Sequence, residues 1–185
     1  MSLRHKLREQ TFEQHRALDT LVSNQGYFET LAGYGRWLEA SLRFHTLVRD
    51  ELANAAENTA ILPAGFDRRI ALLEQDLADL GITSRGALAA PTINPSDEIE
   101  ILGTLYVTEG SALGAKVLAI RARTLGLTET NGARHLFDQA KDLSSWRIVR
   151  ETLETVKLES DDEARMVAAS CRTFEAAAKI YGDGR

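Results

Sequence analysis

Cysteine, proline and long apolar runs are scarce in this chain of 185 residues, and each shortage excludes a class of protein. The single cysteine, Cys171, excludes an internal disulfide and any thiolate metal cluster. Its helical neighbours Val167 and Phe174 predict a buried, structural position for it. Only three prolines occur, so long stretches are free to form helices. No run approaches the ~20 apolar residues that a membrane-spanning helix needs.

The formal net charge is −5, which argues against a nucleic-acid-binding protein because such proteins usually carry a basic excess. The N-terminal segment is charged and amphipathic, unlike the apolar core of a signal peptide. A hydrophobic fraction of 44% is ordinary for a globular chain. We therefore expect one domain over residues 1–185 that is cytoplasmic and binds neither nucleic acid nor a membrane.

Apolar residues recur at steps of three and four over most of the chain, a period typical of amphipathic helices. No segment alternates between apolar and polar residues as a strand would, so we predict an all-α fold of about six to eight helices. Ser2 and Ser96 are placed to cap two of them, and Ser160 with Glu163 forms a capping-box pattern. The predicted helices cover residues 3–22, 27–56, 66–80, 97–125, 134–156 and 160–182, with loops at 62–65 and 81–96.

His15 lies on the apolar stripe of the first predicted helix, where a buried core histidine is the common interpretation. Asp19 follows four residues later, so its carboxylate can accept the second imidazole N–H, as is usual for a metal-bound histidine. Thr11 lies one turn earlier and offers a small side chain beneath a flat ligand. Because no metal-cage spacing occurs nearby, a single axial histidine suits haem better than zinc or a di-iron pair. The stripe consists of Leu3, Leu7, Thr11, His15, Leu18 and Val22.

Gly110 and Gly114 lie four residues apart within residues 105–114, LYVTEGSALG, and therefore share one face of a helix. Each glycine inside a helix costs ~1 kcal/mol relative to alanine, so the two need a physical reason. Either they permit close packing of another helix, or a flat ligand lies directly against the backbone. Glu109 lies ~100° around the helix from Gly110 and is not expected to face the same ligand.

Together these two segments resemble the haem oxygenases, and most closely the bacterial biliverdin-producing branch. Residues 7–19, LREQTFEQHRALD, resemble the family's proximal helix, in which a histidine is followed four residues later by an acidic residue. Residues 105–114 resemble the distal helix of the bacterial branch. The two motifs occur in the family's order, and the predicted helices agree along the whole chain. The resemblance implies a helical bundle with haem sandwiched between a proximal helix and a kinked distal helix.

The resemblance also implies a role for each matching residue. His15 corresponds to the axial ligand of the haem iron, and Asp19 to the acidic residue that orients it. Arg8 and Tyr106 correspond to positions that contact the haem propionates. Thr11 matches the threonine of the proximal-helix motif, and we expect its small side chain to lie beneath the haem. The catalytic segment of the distal helix consists of Gly110, Ser111 and Gly114.

The activity that the resemblance implies is oxidative cleavage of haem to biliverdin, carbon monoxide and ferrous iron. Haem is then both substrate and cofactor, O2 is the oxidant, and electrons come from an external donor such as a reductase or a ferredoxin. Two other interpretations compete with this one. The first is a haem- or bilin-binding protein of the same fold without turnover, and the second is a helical interaction module in which His15 is only a core residue.

Several other side chains are open to a structural or a ligand role. His45 lies on the apolar stripe of the second predicted helix and is the next candidate for the iron if His15 is not the ligand. His135 could belong to the core or to the pocket. The aromatic residues predicted to be core are Trp37, Phe137, Trp146 and Phe174. The cations considered for further propionate contacts are Arg134, Lys141, Arg147 and Arg150.

Overall fold

The computed structural model describes residues 2–55, 65–83 and 91–183, and over these ranges the chain is built from α-helices without a β-strand. The prediction of an all-α fold is confirmed. The nine helices of the described ranges are α1 (Leu3–Gln10), α2 (Phe12–Asn24), α3 (Leu31–Ala55), α4 (Phe66–Asp79), α5 (Glu98–Gly110), α6 (Ala112–Thr124), α7 (Arg134–Lys141), α8 (Ser144–Thr155) and α9 (Ser160–Gly182).

Three of the predicted helices are each two shorter helices, broken at Thr11, at Ser111 and at residues 142–143. At the first two breaks a hydroxyl group donates to a backbone carbonyl of the preceding turn. Thr11 Oγ1 lies 2.7 Å from Leu7 O, and Ser111 Oγ lies 2.7 Å from Thr108 O. Such bonds compete with the helical backbone and bend a helix. The apolar stripe of the first predicted helix continues across Thr11, so the helical period did not reveal that break.

The helix caps are partly as predicted. Ser2 caps α1, where its hydroxyl accepts from the His5 N–H. At α5 the cap is Asp97 rather than Ser96, because the Asp97 carboxylate accepts from two backbone N–H groups of the first turn. A carboxylate at this position also interacts favourably with the helix dipole, whereas the uncharged hydroxyl of a serine lacks this charge interaction.

The capping box predicted at the start of α9 is wrong. Ser160 is already helical, Glu159 occupies the cap position, and no side chain caps this end. The Glu163 carboxylate instead accepts from Lys6 Nζ at 2.8 and 3.0 Å, so it is engaged with α1. A long-range ion pair has replaced the local bond that the pattern predicted.

The helix α4 lies within one residue of the predicted bounds, whereas α3 begins at Leu31 rather than near residue 27. The later start follows from a turn at 25–30, in which Gly26 has a positive φ of 63°. Most of the loop predicted at 62–65 and part of the loop predicted at 81–96 lie outside the described residues. Within the described ranges, no helix combines the length and the apolar character that crossing a bilayer requires.

The most extensive helix contact joins α5 to α9 and forms the centre of the fold. Gly103 permits it, because a Cβ there would lie only 2.4 Å from the Met166 carbonyl oxygen. Ser170 Oγ donates to Gly103 O at 2.9 Å, and the hydroxyls of Thr173 and Thr104 lie 3.4 Å apart. The helix α2 packs on this same α9, whereas α6 packs on α7. The helix α2 is therefore held mainly by α9, and α6 mainly by α7.

Two clusters of buried apolar residues fill the interior. One surrounds the contact of α5 with α9, and the other joins α3, α4, α6 and α7. Tyr181 of α9 packs against both clusters. The contribution of α6 to the second cluster is a row of small side chains, Ala115, Ala119 and Ala122. This row lets α6 lie close to α7 while its other face stays available for a different contact.

Candidate functional site

The break at Thr11 brings the junction of α1 and α2 against Tyr106 of α5. Thr11 is buried, and its hydroxyl is bonded to Leu7 O. Burial raises the pKa of Tyr106, while the Thr11 side chain and the cations of Arg8 and Arg4 lower it. The predicted residues Arg8, Thr11 and Tyr106 therefore lie within interaction range of one another. Arg4 joins them, although the motif did not single it out.

His15 lies in the first turns of α2, and its side chain is 64% exposed. Its Nδ1 lies 3.0 Å from Asp19 Oδ2, so the predicted pair is present. The ring also contacts Phe174 of α9 edge to face, with centroids 5.9 Å apart. Since Nδ1 faces the carboxylate, Nε2 is the nitrogen left for a ligand. A side chain with this exposure is not the core histidine of the competing interpretation.

The segment that joins α5 to α6 turns at Ser111, which is exposed. Because its hydroxyl donates to Thr108 O, the oxygen of Ser111 is left to act as an acceptor. A Cβ at Gly114 would meet no atom within 4 Å, whereas a Cβ at Gly110 would contact Trp146 at 3.5 Å. Gly114 thus faces open space, and Gly110 lies over an indole ring.

Trp146 of α8, predicted to belong to the core, is only half-buried and lies at this site. Its ring centroid is 6.0 Å from that of Tyr106, and its indole is the neighbour of Gly110. No sequence signal distinguishes this position, because an aromatic residue on an amphipathic helix usually belongs to the core. Among the described residues, no hydrogen bond or ion pair joins His15 to residues 110–114.

Large apolar side chains on α6 are exposed, although the opposite face of this helix is buried on α7. Leu113, Val117 and Ile120 recur at steps of four and three, so they share one helix face. Phe12, at the start of α2, is exposed as well. Contiguous exposed apolar side chains mark binding surfaces, and a flat apolar ligand is one that could cover them.

Beneath the end of α5 lies a buried ion pair that the sequence did not reveal. The Glu109 carboxylate accepts from Arg69 of α4, with Oε1–Nη1 and Oε2–Nη2 distances of 3.3 and 3.1 Å. The two side chains are only 3% and 11% exposed. Glu109 is directed toward α4, in agreement with the expectation that it does not share a ligand with Gly110. Its partner lies 40 residues away in the chain, so no local pattern signals the pair.

The two other histidines considered for the site are both buried. His135 Nδ1 lies 2.6 Å from Asp76 Oδ2, and burial lowers the pKa of His135 although Asp76 acts in the opposite direction. Burial lowers the pKa of His45 well below its ordinary range, with Arg69 and His135 adding to the effect. Both rings are therefore neutral at neutral pH. Neither His45 Nδ1 nor His135 Nε2 has a hydrogen-bond partner among the described residues.

Three of the four cations considered for propionates are paired with carboxylates of the protein. Arg134 is bonded to two aspartates of α4, Lys141 to a glutamate, and Arg150 lies 3.8 Å from a glutamate one turn on. Arg147 is exposed and stays a candidate. Cys171 is half-buried rather than fully buried, and burial raises the pKa of its thiol, which fits the predicted structural role.

Among the described residues, the fold is all-helical, His15 is accessible and paired with a carboxylate, and a broken helix carries Gly110 and Gly114. The family model described as heme oxygenase matches residues 1–183, and the chain belongs to this family. The chain is 29% identical over 168 residues to the heme oxygenase PigA of Pseudomonas aeruginosa, and the matched residues make up 88% of this chain and 85% of the relative. It is 38% identical over 92 residues to a heme oxygenase of Xanthomonas campestris, covering 48% of this chain and 52% of that protein.

Solved structures agree with this assignment. The heme oxygenase from Neisseria meningitidis, determined in NO- and CO-bound forms, has a TM-score of 0.81 and 27% identity and covers 100% of this chain and 92% of that one. The heme oxygenase from Leptospira interrogans shares the fold, with a TM-score of 0.77, 23% identity, and coverage of 99% and 100%. The predicted family, fold class and haem oxygenase function are confirmed, and the carrier and interaction-module interpretations are set aside.

Proposed function

We propose that this haem oxygenase holds its substrate between α2 and the junction of α5 with α6, with His15 Nε2 as the axial ligand of the iron. One observation carries the proposal. The His15 side chain is exposed to an incoming ligand, yet its other nitrogen is held 3.0 Å from the Asp19 carboxylate. Such a carboxylate fixes the orientation and the tautomer of the ring and makes the free nitrogen a better donor to a metal.

The surfaces beside the proposed ligand have the chemistry that haem requires. Exposed Leu113 and Val117 offer apolar contacts to a porphyrin, and the open space at Gly114 lets a flat ring approach the backbone. Arg8 offers a cation to the propionates, and Tyr106, which is close to Arg8, offers a hydroxyl. Apolar contact over the ring with cations at one edge is the combination that fits an amphipathic macrocycle.

The proposed reaction is the O2-dependent cleavage of haem to biliverdin, carbon monoxide and ferrous iron. The bound haem supplies the iron at which dioxygen reacts, and the protein supplies position and protons. The open space at Gly114 leaves room beside the proposed reacting face, whereas Gly110 leaves room for the Trp146 ring. Ser111 Oγ, whose proton is committed to Thr108 O, accepts a hydrogen bond from water and holds that water beside the reacting face.

Electrons for this reaction are proposed to come from an external reductase or ferredoxin. The chain has one cysteine and therefore cannot ligate an iron–sulfur cluster by itself. The expected single domain over residues 1–185 stays a prediction, supported by the length of the chain, and the expected location in the cytoplasm stays a prediction as well.

The test is a single-turnover reaction of the protein loaded with one equivalent of haem, in air, with a chemical electron donor. We expect the Soret band to disappear while biliverdin absorption grows and carbon monoxide is released. A Soret band that is stable under these conditions, or a protein that takes up no haem, would overturn the proposed function.

Gly114 provides a matched pair of variants for the same assay. Gly114→Leu should fill the open space beside the backbone and slow the loss of the Soret band while the protein stays folded. Gly114→Ala should impair turnover less and should stabilise the helix by ~1 kcal/mol, because alanine is the better helix former. Normal turnover by Gly114→Leu would show that this glycine does not face the substrate.

A further inference from the structure

Arg69 and Glu109 form a buried ion pair that the proposed mechanism does not use. Both carboxylate oxygens are bonded to the guanidinium, and both side chains are almost completely removed from solvent. Burying two charges carries a large desolvation cost, and apolar side chains of similar volume often give equal or greater stability. The free energy of unfolding alone therefore does not explain why a charged pair occupies this position.

The location of the pair suggests what it restrains. Glu109 is in the last turn of α5, one residue before Gly110 and two before the break at Ser111. Arg69 belongs to α4, which packs on α3 and α7. In the described part of the chain, the two bonds of this pair are the hydrogen bonds that join α4 to α5. The pair therefore anchors the end of α5 to a helix outside the central contact with α9.

The arginine side of this anchor is itself fixed. The Arg69 guanidinium lies over the Phe66 ring, 5.4 Å from its centroid, and the backbone N–H of Arg69 donates to the Gly65 carbonyl at 3.0 Å. The positive charge of Arg69 acts to lower the pKa values of three titratable groups, His45, His135 and Tyr181. The two histidines are neutral because burial lowers their pKa values, so the charge bonded to Arg69 is that of Glu109.

We propose that the Arg69–Glu109 pair positions the distal segment: it sets the direction in which residues 110–114 leave α5 and so how closely they lie over the haem. This inference rests on the proposed function. Two parallel bonds in the rigid geometry of a guanidinium restrain both the shift and the rotation of the last turn. Gly110 follows Glu109 directly, so any rotation of Glu109 about the helix axis carries Gly110 with it.

The anchor matters because the segment beyond it is easily deformed. The helix is broken at Ser111, whose side-chain hydroxyl donates a hydrogen bond to the Thr108 carbonyl. Gly110 and Gly114 have no side chain that could restrain the segment by packing. On the other side of the break, α6 is held through its packing on α7. Arg69 and Glu109 are thus positioning residues, which act on the substrate through the distal segment and not by contact with it.

The test uses Glu109→Gln and Arg69→Lys, with Asp138→Asn as the matched control. Asp138 forms a bidentate pair with the neighbouring Arg68 of α4, with distances of 3.1 and 2.5 Å, but it belongs to α7. The first measurement is amide hydrogen exchange of the ligand-free protein. In Glu109→Gln, exchange at residues 111–115 should become at least about tenfold faster, while α9 and the control variant stay unchanged.

The second measurement is the C–O stretching band of the ferrous carbon monoxide complex of each haem-loaded protein. Wild type and Asp138→Asn should give the same band, whereas Glu109→Gln and Arg69→Lys should shift or broaden it. Arg69→Lys keeps the charge and loses the fork geometry, so it separates position from loss of folding if Glu109→Gln is poorly folded.

Three outcomes would overturn the proposal. They are unchanged exchange at residues 111–115, a carbon monoxide band identical to wild type in folded variants, and exchange that rises equally throughout the molecule. The last of these would mean a general loss of stability. A wild-type protein that takes up no haem would instead overturn the proposed function, and the exchange measurement would still show whether the pair restrains the segment.

Discussion

Two histidine–aspartate pairs in this molecule have the same chemistry and opposite surroundings. In the first, His15 Nδ1 lies 3.0 Å from Asp19, and the two side chains are 64% and 68% exposed. In the second, His135 Nδ1 lies 2.6 Å from Asp76, and the side chains are 2% and 0% exposed. The second nitrogen is accessible to a ligand in the exposed pair and enclosed in the buried pair.

This difference separates a pair that can serve chemistry from a pair that serves the fold. Asp76 also accepts from the backbone N–H groups of Arg134 and His135, so it ties α4 to the start of α7. An exposed histidine–carboxylate pair such as that of His15 and Asp19 contributes little to the free energy of unfolding. Its value lies in orienting a ring that a ligand can reach.

The largest expected effect is on folding, from Asp76→Ala. This change leaves the buried His135 ring and two backbone N–H groups without their acceptor, so it should lower the free energy of unfolding by ~1–3 kcal/mol for each unsatisfied donor, about 3 kcal/mol or more in all. Denaturant unfolding at neutral pH measures it, with Asp19→Ala as the exposed control that leaves the midpoint unchanged. Equal losses in the two variants would contradict the contrast between the pairs.

The reverse effect is expected on the haem site, from Asp19→Ala. Removing the acceptor of the His15 Nδ1–H should lower haem affinity or turnover by ~10–100-fold, as is typical for the outer partner of a metal-bound histidine. Resonance Raman spectroscopy should show a lower iron–histidine stretching frequency, and Asp19→Asn, whose amide oxygen can still accept, should fall in between. If neither the frequency nor the turnover changes, Asp19 is only a surface charge.

A smaller effect is expected in the pH dependence of stability. Because burial lowers the pKa of His135 below that of an unfolded histidine, the unfolded chain binds a proton first as the pH falls. The free energy of unfolding should therefore decrease below pH ~6.5, by at most ~1.4 kcal/mol per pH unit for each such histidine. His135→Gln should make this slope shallower, and a slope equal to that of wild type would contradict the assignment. His45 should contribute in the same direction.

The sequence could predict those parts of the site in which the interacting residues lie close together in the chain. The His15–Asp19 pair follows from two positions on one helix face, and Gly110 and Gly114 were visible for the same reason. The pattern alone is not specific, however: His5 and Glu9 have the same spacing and lie 3.6 Å apart on α1. What distinguishes His15 is its ring contact with Phe174 of α9, a tertiary contact.

The features that the sequence did not reveal are those set by distant partners or by competition for backbone groups. Glu109 and Asp76 find their partners 40 and 59 residues away, so no helical period signals either pair. The breaks at Thr11 and Ser111 depend on hydroxyl groups that bond to the preceding turn, and many threonines and serines do so without breaking a helix. Fold class and helix content follow from periodicity, whereas breaks and buried charges require the tertiary structure.

The central claim is that His15 is the axial ligand of the iron, and His15→Ala tests it most directly. The matched control is His5→Ala, which removes another exposed histidine that has an acidic residue four positions later. The measurement is the electronic absorption and resonance Raman spectrum of the ferric and ferrous haem complexes. The account predicts that His15→Ala loses the histidine-ligated spectrum, that added imidazole partly restores it, and that His5→Ala matches wild type. Identical spectra for wild type and His15→Ala would contradict it.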